Sequence, residues 1–327
     1  MVRLLRRWFK KASIRPPFLR RPYASRRGRF LAAKFKDSPV SHRSRAELKY
    51  RLYLPSGSSR RDTVPLIVML HGCRQDPLSF AEGTRMNTVA EEHRCAVLYP
   101  EQNKRSNPLR CWNWFASTSI EGHGEAGLIA RLIDQITNRR PIDPRRVYAV
   151  GMSAGGAMAC ILSVRHSRLF AACAIHSGVM YGAASSPMQA LTAMRSGSSA
   201  ASIEEARRLV REAGEGAVAV PTLVIHGDRD TTVNPLNADQ IIEQLKARAE
   251  FIDPAAGALA ASDERSMESG GRTYRQRDYT KQGRILLRKV LVEGLGHAWS
   301  GGDARHEFND AGGPDASRLI VDFVTQH

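Results

Sequence analysis

The chain has 327 residues, 42% of them hydrophobic and 25% charged, the balance of a folded protein with a sizeable core. No run of about 18 apolar residues occurs, so no membrane-spanning helix is expected. The net charge of +17 sits at one end. Residues 1–45 hold 15 Lys and Arg against the single acid Asp37, while the rest, with 34 basic and 31 acidic residues, is nearly neutral. The charge therefore says little about what the body binds, and no specific nucleic-acid partner is expected.

The first 45 residues read as a basic extension. Arginines interrupt every apolar stretch, so the 7–15-residue core of a secretory signal is not found. The segment resembles a transit peptide, a tail lying weakly on an anionic or polyester surface, or a solvated, disordered arm. The folded domain is expected over residues 46–327. Glu47 to Leu54 alternates as a half-buried strand. Val64 to Leu70 is a short apolar run ending at His71-Gly72, as suits a strand covered on both faces. Pro77 to His93 reads as helix, Cys95 to Tyr99 as strand, Ala126 to Asn138 as helix. Arg146 to Val150 is a strand running into Gly151, followed by a helix of small residues from Ala154 to Val164. Ala171 to Ile175 and Pro221 to Ile225 read as strands, Gln240 to Arg248 as helix, Ile285 to Val292 as strand, and Asp315 to Thr325 as a closing helix. Strands alternating with helices imply an α/β fold, a mostly parallel sheet with helices on both faces. Two segments break the rhythm. Tyr181 to Gly216 reads as a helical excursion near the site, and the polar Asp253 to Gly271 as a surface insertion.

Gly151-Met152-Ser153-Ala154-Gly155 has the form G-x-S-x-G. It follows a strand and opens a helix, the setting of a nucleophile elbow in an α/β-hydrolase. A serine hydroxyl needs a base to take its proton, and in this fold the order is Ser, then acid, then His. His297 lies in the glycine-lined Gly294-Leu295-Gly296-His297 loop after the last strand and is the expected base. His166 and His176 read as ordinary histidines. The acid comes from His226-Gly227-Asp228-Arg229-Asp230. Asp230 is chosen because H-G-x-x-D spacing carries it past the tight turn toward the His297 loop. Asp228 is expected to cap the turn through its own backbone, and Asp303 is a distant third candidate. The oxyanion donors are expected to be the backbone N–H of Ala154 and of Cys73, the latter in the Leu70-His71-Gly72-Cys73 loop. His71 is expected to hold that loop by a side-chain hydrogen bond. The five cysteines show no metal-ligand spacing, so no metal is expected. Cys160 and Cys173 read as buried core thiols.

The stretches LHGCRQDPLSFAEGTRMN, AVLYPEQ, CWNWF, GEAGLIA, RVYAVGMSAGGAMA, FAACAIHSG, IHGDRDTTVNPLN and VEGLGHAWSGG resemble the polyhydroxybutyrate depolymerase-type esterases. These are α/β-hydrolases related to feruloyl and acetylxylan esterases. The resemblance spans about residues 48–325. It implies a Ser153–Asp230–His297 triad and cleavage of 3-hydroxyalkanoate or similar acyl esters without metal or organic cofactor. It gives Trp112, Trp114 and Trp299 two readings, walls of a substrate groove or packing beneath a loop. It brings Cys73 and Cys111 near the site, where a bridge between them would favour an oxidising compartment. It implies an extracellular protein, whereas the absence of a visible cleavable signal leaves the cytoplasm open. With no separate polymer-binding domain in view, oligomers, small esters or amorphous polymer are the favoured substrates. Rival readings are a feruloyl or acetylxylan esterase, a peptidase of the same fold, and a silent hydrolase fold that binds surfaces through its tail.

Overall fold

The computed structural model describes residues 28–37, 47–212 and 216–327. Its strands, in chain order, are β1 (Arg29–Lys36), β2 (Glu47–Leu54), β3 (Val64–Leu70), β4 (Ala96–Glu101), β5 (Ile142–Met152), β6 (Ala172–His176), β7 (Thr222–Gly227), β8 (Ala260–Ala261), β9 (Arg265–Ser269), β10 (Arg272–Lys281), β11 (Arg284–Val292), β12 (Trp299–Ser300) and β13 (Asn309–Asp310). The α-helices are α1 (Pro77–Thr84), α2 (Met86–Glu92), α3 (Ser117–Ile120), α4 (Gly124–Arg139), α5 (Ala154–Arg165), α6 (Pro187–Ser196), α7 (Ala200–Arg211), α8 (Leu236–Ile252) and α9 (Ala316–Val324). One sheet runs β1-β2-β4-β3-β5-β6-β7-β11-β10-β8, with β9 also on β10. From β4 to β11 the neighbours are parallel, and both edges are antiparallel.

The period-2 pattern of the central strands builds two cores. Leu66, Val68 and Leu70 of β3 pack with α4, α5 and α8 on one face. Ile67 and Met69 of the same strand pack with α1, α2 and α9 on the other. Each central strand is thereby covered on both sides, which is why these strands read as unbroken apolar runs. The parallel strands all end at one edge, and the turns after β3, β5, β7 and β11 meet there.

Three expectations change. The stretch read as one helix from Pro77 to His93 is two, because Arg85 adopts a left-handed conformation (φ 54°) that closes α1 and opens α2. The domain does not begin at residue 46. Arg29–Lys36, inside the basic extension, pairs antiparallel with β2 along its full length, buries Phe35 in the core, and leads to Asp37, which pairs with Arg131 on α4. The rest of the extension, and with it the expected disordered arm or surface-binding tail, lies outside the described residues. The polar insertion holds strands too: β9 pairs with β10, and β10 with β11. Its polar sequence is held there by Asp278, which accepts hydrogen bonds from Arg288 (2.6 and 3.0 Å) and Arg265 (2.9 Å). The excursion expected after Tyr181 is present as α6 and α7.

Candidate active site

Ser153 stands between β5 and α5 with φ 56° and ψ −122°, a conformation that costs a non-glycine residue about 1–3 kcal/mol. The neighbours make it attainable. A Cβ on Gly155 would come within 1.9 Å of the Leu70 carbonyl oxygen, and one on Gly151 within 2.1 Å of the Gly155 oxygen. Only glycines let α5 cross so close to β3 and β5. The Ser153 N–H donates to the His176 carbonyl (2.9 Å) and its carbonyl accepts from Ala157 N (2.9 Å), so the backbone of the turn is locked on both sides. Among the described residues the Ser153 hydroxyl makes no hydrogen bond. Such contacts commonly tighten only when substrate is bound.

Asp230 follows β7 and His297 follows β11, the neighbouring strand. The His297 Nδ1–H donates to Asp230 Oδ2 at 2.7 Å. The other carboxylate oxygen accepts from the backbone N–H of Thr232 (2.9 Å) and Val233 (2.8 Å). Burial opposes ionisation of Asp230, but the bond from His297, the electrostatic pull of His297 and His226 beside it and the Val233 N–H outweigh it and hold the carboxyl below its usual range. The two loops are zipped together. Asp228 N and Arg229 N donate to the carbonyls of Val292 (3.1 Å) and Leu295 (3.0 Å). A Cβ on Gly227 would lie 2.2 Å from the Leu295 oxygen, which explains the glycine of the H-G-x-x-D motif. Asp228 caps the other loop: its Oδ1 accepts from Gly294 N at 2.7 Å, where its own turn was expected. Asp303 pairs with Arg305 and Arg85 and has no part in this cluster.

His226, which opens the same motif at the end of β7, flanks the acid. Its Nε2–H donates to the Val233 carbonyl (2.8 Å) and lies 3.5 Å from Asp230 Oδ2. Burial pushes its pKa down, against the pull of Asp230, so it stands as a neutral donor beside the carboxylate. His176, read as ordinary, is fully buried and stacked on Trp299 at 5.0 Å. Burial, with the imidazoles of His226 and His297 close by, pushes its pKa down to about 3.

On the opposite side, Gly72 lies against the serine: a Cβ built on it would be 3.4 Å from Ser153 Cβ. Neither expected oxyanion donor, Cys73 N or Ala154 N, is spent on another hydrogen bond among the described residues. His71 holds its loop as expected. Its Nδ1–H donates to the Gly72 carbonyl (2.8 Å) and its Nε2 accepts from Gln102 N (3.1 Å). Burial pushes its pKa down to about 4, which keeps Nε2 free to accept. Cys73 and Cys111 form a disulfide, and Cys160 and Cys173 are buried thiols.

The tryptophans depart from the groove reading. Trp112 and Trp299 are 1% and 0% exposed, and Trp114 is 5% exposed, so none has a face to offer a substrate. Their polar tips explain the burial: the Trp112 indole N–H donates to the His71 carbonyl (3.1 Å) and that of Trp299 to Ser317 Oγ (3.2 Å). The aromatic ring beside the histidine is Phe308, edge-on to His297 at 6.3 Å, a residue that carries no motif. Among the described residues no group of His, Cys, Asp and Glu could hold a metal ion.

Known proteins resemble the chain in sequence and in fold. Poly(3-hydroxyalkanoate) depolymerase C of Paucimonas lemoignei is 32% identical over 200 residues, 59% of this chain and 46% of that protein. Feruloyl esterase B of Thermothelomyces thermophilus is 27% identical over 221 residues, 64% of this chain and 72% of that one. The chain thus spans under half the length of the depolymerase. The solved acetyl xylan esterase from Aspergillus awamori superposes with a TM-score of 0.62 at 17% identity, covering 81% of this chain and 94% of that one, a likeness in fold, that of the α/β-hydrolases. A model of the family described as Esterase PHB depolymerase matches residues 48–269, and the chain belongs to that family.

Proposed function

We propose that the protein is a serine carboxylic-ester hydrolase, with Ser153 as nucleophile, His297 as general base and acid, and Asp230 orienting the imidazole. The observation that carries the reading is the 2.7 Å bond from His297 Nδ1–H to a buried Asp230, on the sheet edge where Ser153 occupies a strained elbow. That bond fixes the tautomer and leaves Nε2 to accept a proton. Ser153 Oγ attacks the ester carbonyl carbon as its proton passes to Nε2. The Cys73 and Ala154 N–H groups stabilise the oxyanion at the N-terminus of α5. The intermediate collapses, the C–O bond to the alcohol breaks, and His297 returns the proton to the leaving oxygen. Water, deprotonated by His297, then hydrolyses the acyl-enzyme.

The substrates we propose are 3-hydroxyalkanoate oligomers or amorphous polymer and short acyl esters, in keeping with the family and the depolymerase relative. Feruloyl or acetylxylan esters are the second reading, favoured by the feruloyl esterase relative. The Cys73–Cys111 bridge supports an oxidising compartment. The test is hydrolysis of p-nitrophenyl esters of increasing chain length, a 3-hydroxybutyrate oligomer, and feruloyl and acetylxylan esters, by wild type and Ser153→Ala. Activity lost in the variant, with the oligomer preferred, is the expected result. A folded wild type inactive on all of them, or a Ser153→Ala variant that keeps its activity, would overturn the proposal.

A further inference from the structure

One carboxylate next to the site serves neither the triad nor a surface ion pair. Glu125 lies in the first turn of α4, where a negative charge is favoured by the helix dipole. Its Oε1 accepts from the side-chain amides of Gln102 (2.6 Å) and Asn113 (2.7 Å), and its Oε2 accepts from the Asn113 backbone N–H (2.7 Å). Three short bonds to an ionised acceptor are among the stronger contacts a protein makes.

The partners lead straight to the oxyanion loop. Gln102 is 2% exposed and its side-chain amide also donates to the Cys111 carbonyl (3.0 Å), while its backbone N–H donates to His71 Nε2 (3.1 Å). Asn113 follows Trp112, whose indole N–H holds the His71 carbonyl. Cys111 is bridged to Cys73. The segments His71-Gly72-Cys73 and Cys111-Trp112-Asn113 are therefore joined at three points, and behind all three stands the Glu125 carboxylate.

We infer that Glu125 is a positioning residue for the oxyanion hole: through Gln102 and Asn113 it holds the Cys111–Asn113 segment against His71–Cys73, so that the Cys73 N–H stays where the developing oxyanion needs it. The inference rests on the esterase reading above. A donor displaced by a fraction of an ångström loses part of its effect, and removal of a whole oxyanion donor costs about 10²–10³ in kcat. Loosening its support should cost about ten-fold by the same reasoning.

The experiment compares wild type with Glu125→Gln, which keeps the shape but faces an NH₂ toward donors that need an acceptor. Each is assayed on a p-nitrophenyl ester and on its thiono analogue, in which C=S replaces C=O. Sulfur is a poor hydrogen-bond acceptor, so an intact oxyanion hole favours the oxo ester and a loosened one discriminates less. The expected result is a kcat about ten-fold lower with KM within about two-fold, and an oxo/thiono ratio of kcat/KM reduced several-fold. A purely structural role would lower the melting temperature and leave kcat and the ratio of the folded enzyme unchanged. That outcome, or no change at all, overturns the inference. If Glu125→Gln does not fold, Asn113→Ala, which removes one of the three donors, is read by the same ratio, and an unchanged ratio overturns the inference. Failure of the esterase reading would show separately, as inactivity of the wild type.

Discussion

The two sides of the site are held in place by different means. On the acid–base side, everything that orients Asp230 comes from two adjacent loops: the N–H groups of Thr232 and Val233, the flanking His226, and His297 itself. The strand pair β7–β11 brings these loops together. On the oxyanion side, the supports come from four separate places in the chain: His71 with Cys73, Gln102, Cys111 with Trp112, and Glu125. A carboxylate surrounded by backbone donors is self-contained and needs little beyond its own turn. A pair of backbone donors has no side chain to aim it, so the protein must fix the loop that carries it, and this calls for contacts of long range.

The largest effect that would break this comparison is at the acid. Asp230→Asn should keep the fold and lower kcat by about 10⁴-fold, because the amide presents a donor to Nδ1–H and favours the wrong tautomer. Steady-state kinetics on a soluble ester give the number. If Asp228→Asn caused the same loss, the acid would be misassigned, since the Asp228 side chain accepts from Gly294 N through Oδ1 and does not touch His297 among the described residues. The next effect lies on the other side. The bridge closes a loop with sequence separation 38, and removing it as Cys73→Ser/Cys111→Ser should cost about 4 kcal/mol of stability on the chain-entropy view. Denaturant titration measures the cost. The two-sided picture further requires the double variant to lose kcat more than KM, and an unchanged kcat in the folded fraction would count against it. Between β5 and α5, Gly155→Ala should cost about 3 kcal/mol or more by overpacking, read as a lower denaturation midpoint, because its Cβ would meet backbone that has no room to move.

The same contrast governs what could be read from the sequence. The acid–base side was legible because its demands are local. G-x-S-x-G records the close crossing of β5 and α5, and H-G-x-x-D records the approach of Gly227 to Leu295. On the oxyanion side His71, Cys73 and the bridge to Cys111 were legible but their remote support was not, because Glu125 and Gln102 acquire their meaning only when α4 and β4 are packed against the loop after β3. Trp112 and Trp299 were read with an open alternative, and burial decided it: each ring is enclosed and each indole N–H is spent on an internal acceptor. Strand β1 was hidden by composition. Its alternation buries Phe35 on one side while Lys34 and Lys36 point to the other, and the lysines and arginines around it read as tail. Strands β9 and β10 were hidden for a related reason, since charge pairs such as Asp278 with Arg288 outnumber the few residues, Tyr274 and Tyr279, that this edge buries in the core.

A smaller effect sharpens the comparison through pH. Both sides carry buried neutral imidazoles: His71 on the oxyanion side, with its pKa pushed by burial down to about 4, and on the other His176, pushed down to about 3, and His226, also lowered by burial. In the unfolded chain each would titrate near 6.5. Between that value and the lowered one, the unfolded state holds the proton and the native state does not, so stability rises with pH and is lost on acidification. Above about pH 6.5 none of the three contributes a slope. Asp230 acts in the same direction but only at lower pH, since its stabilisation is present above the ordinary carboxylate pKa and disappears as pH falls through its depressed one. Each imidazole should therefore add about 1.4 kcal/mol per pH unit to the loss of stability across its window. Urea titrations at pH 7, 5.5 and 4.5 measure the slope, and His71→Asn, which can still accept from Gln102 N, should remove one proton from it. A slope the same in this variant as in wild type would mean that His71 is charged in the native state. Its Nε2 could not then accept the Gln102 N–H, and the oxyanion loop would lose a contact through which its remote supports act.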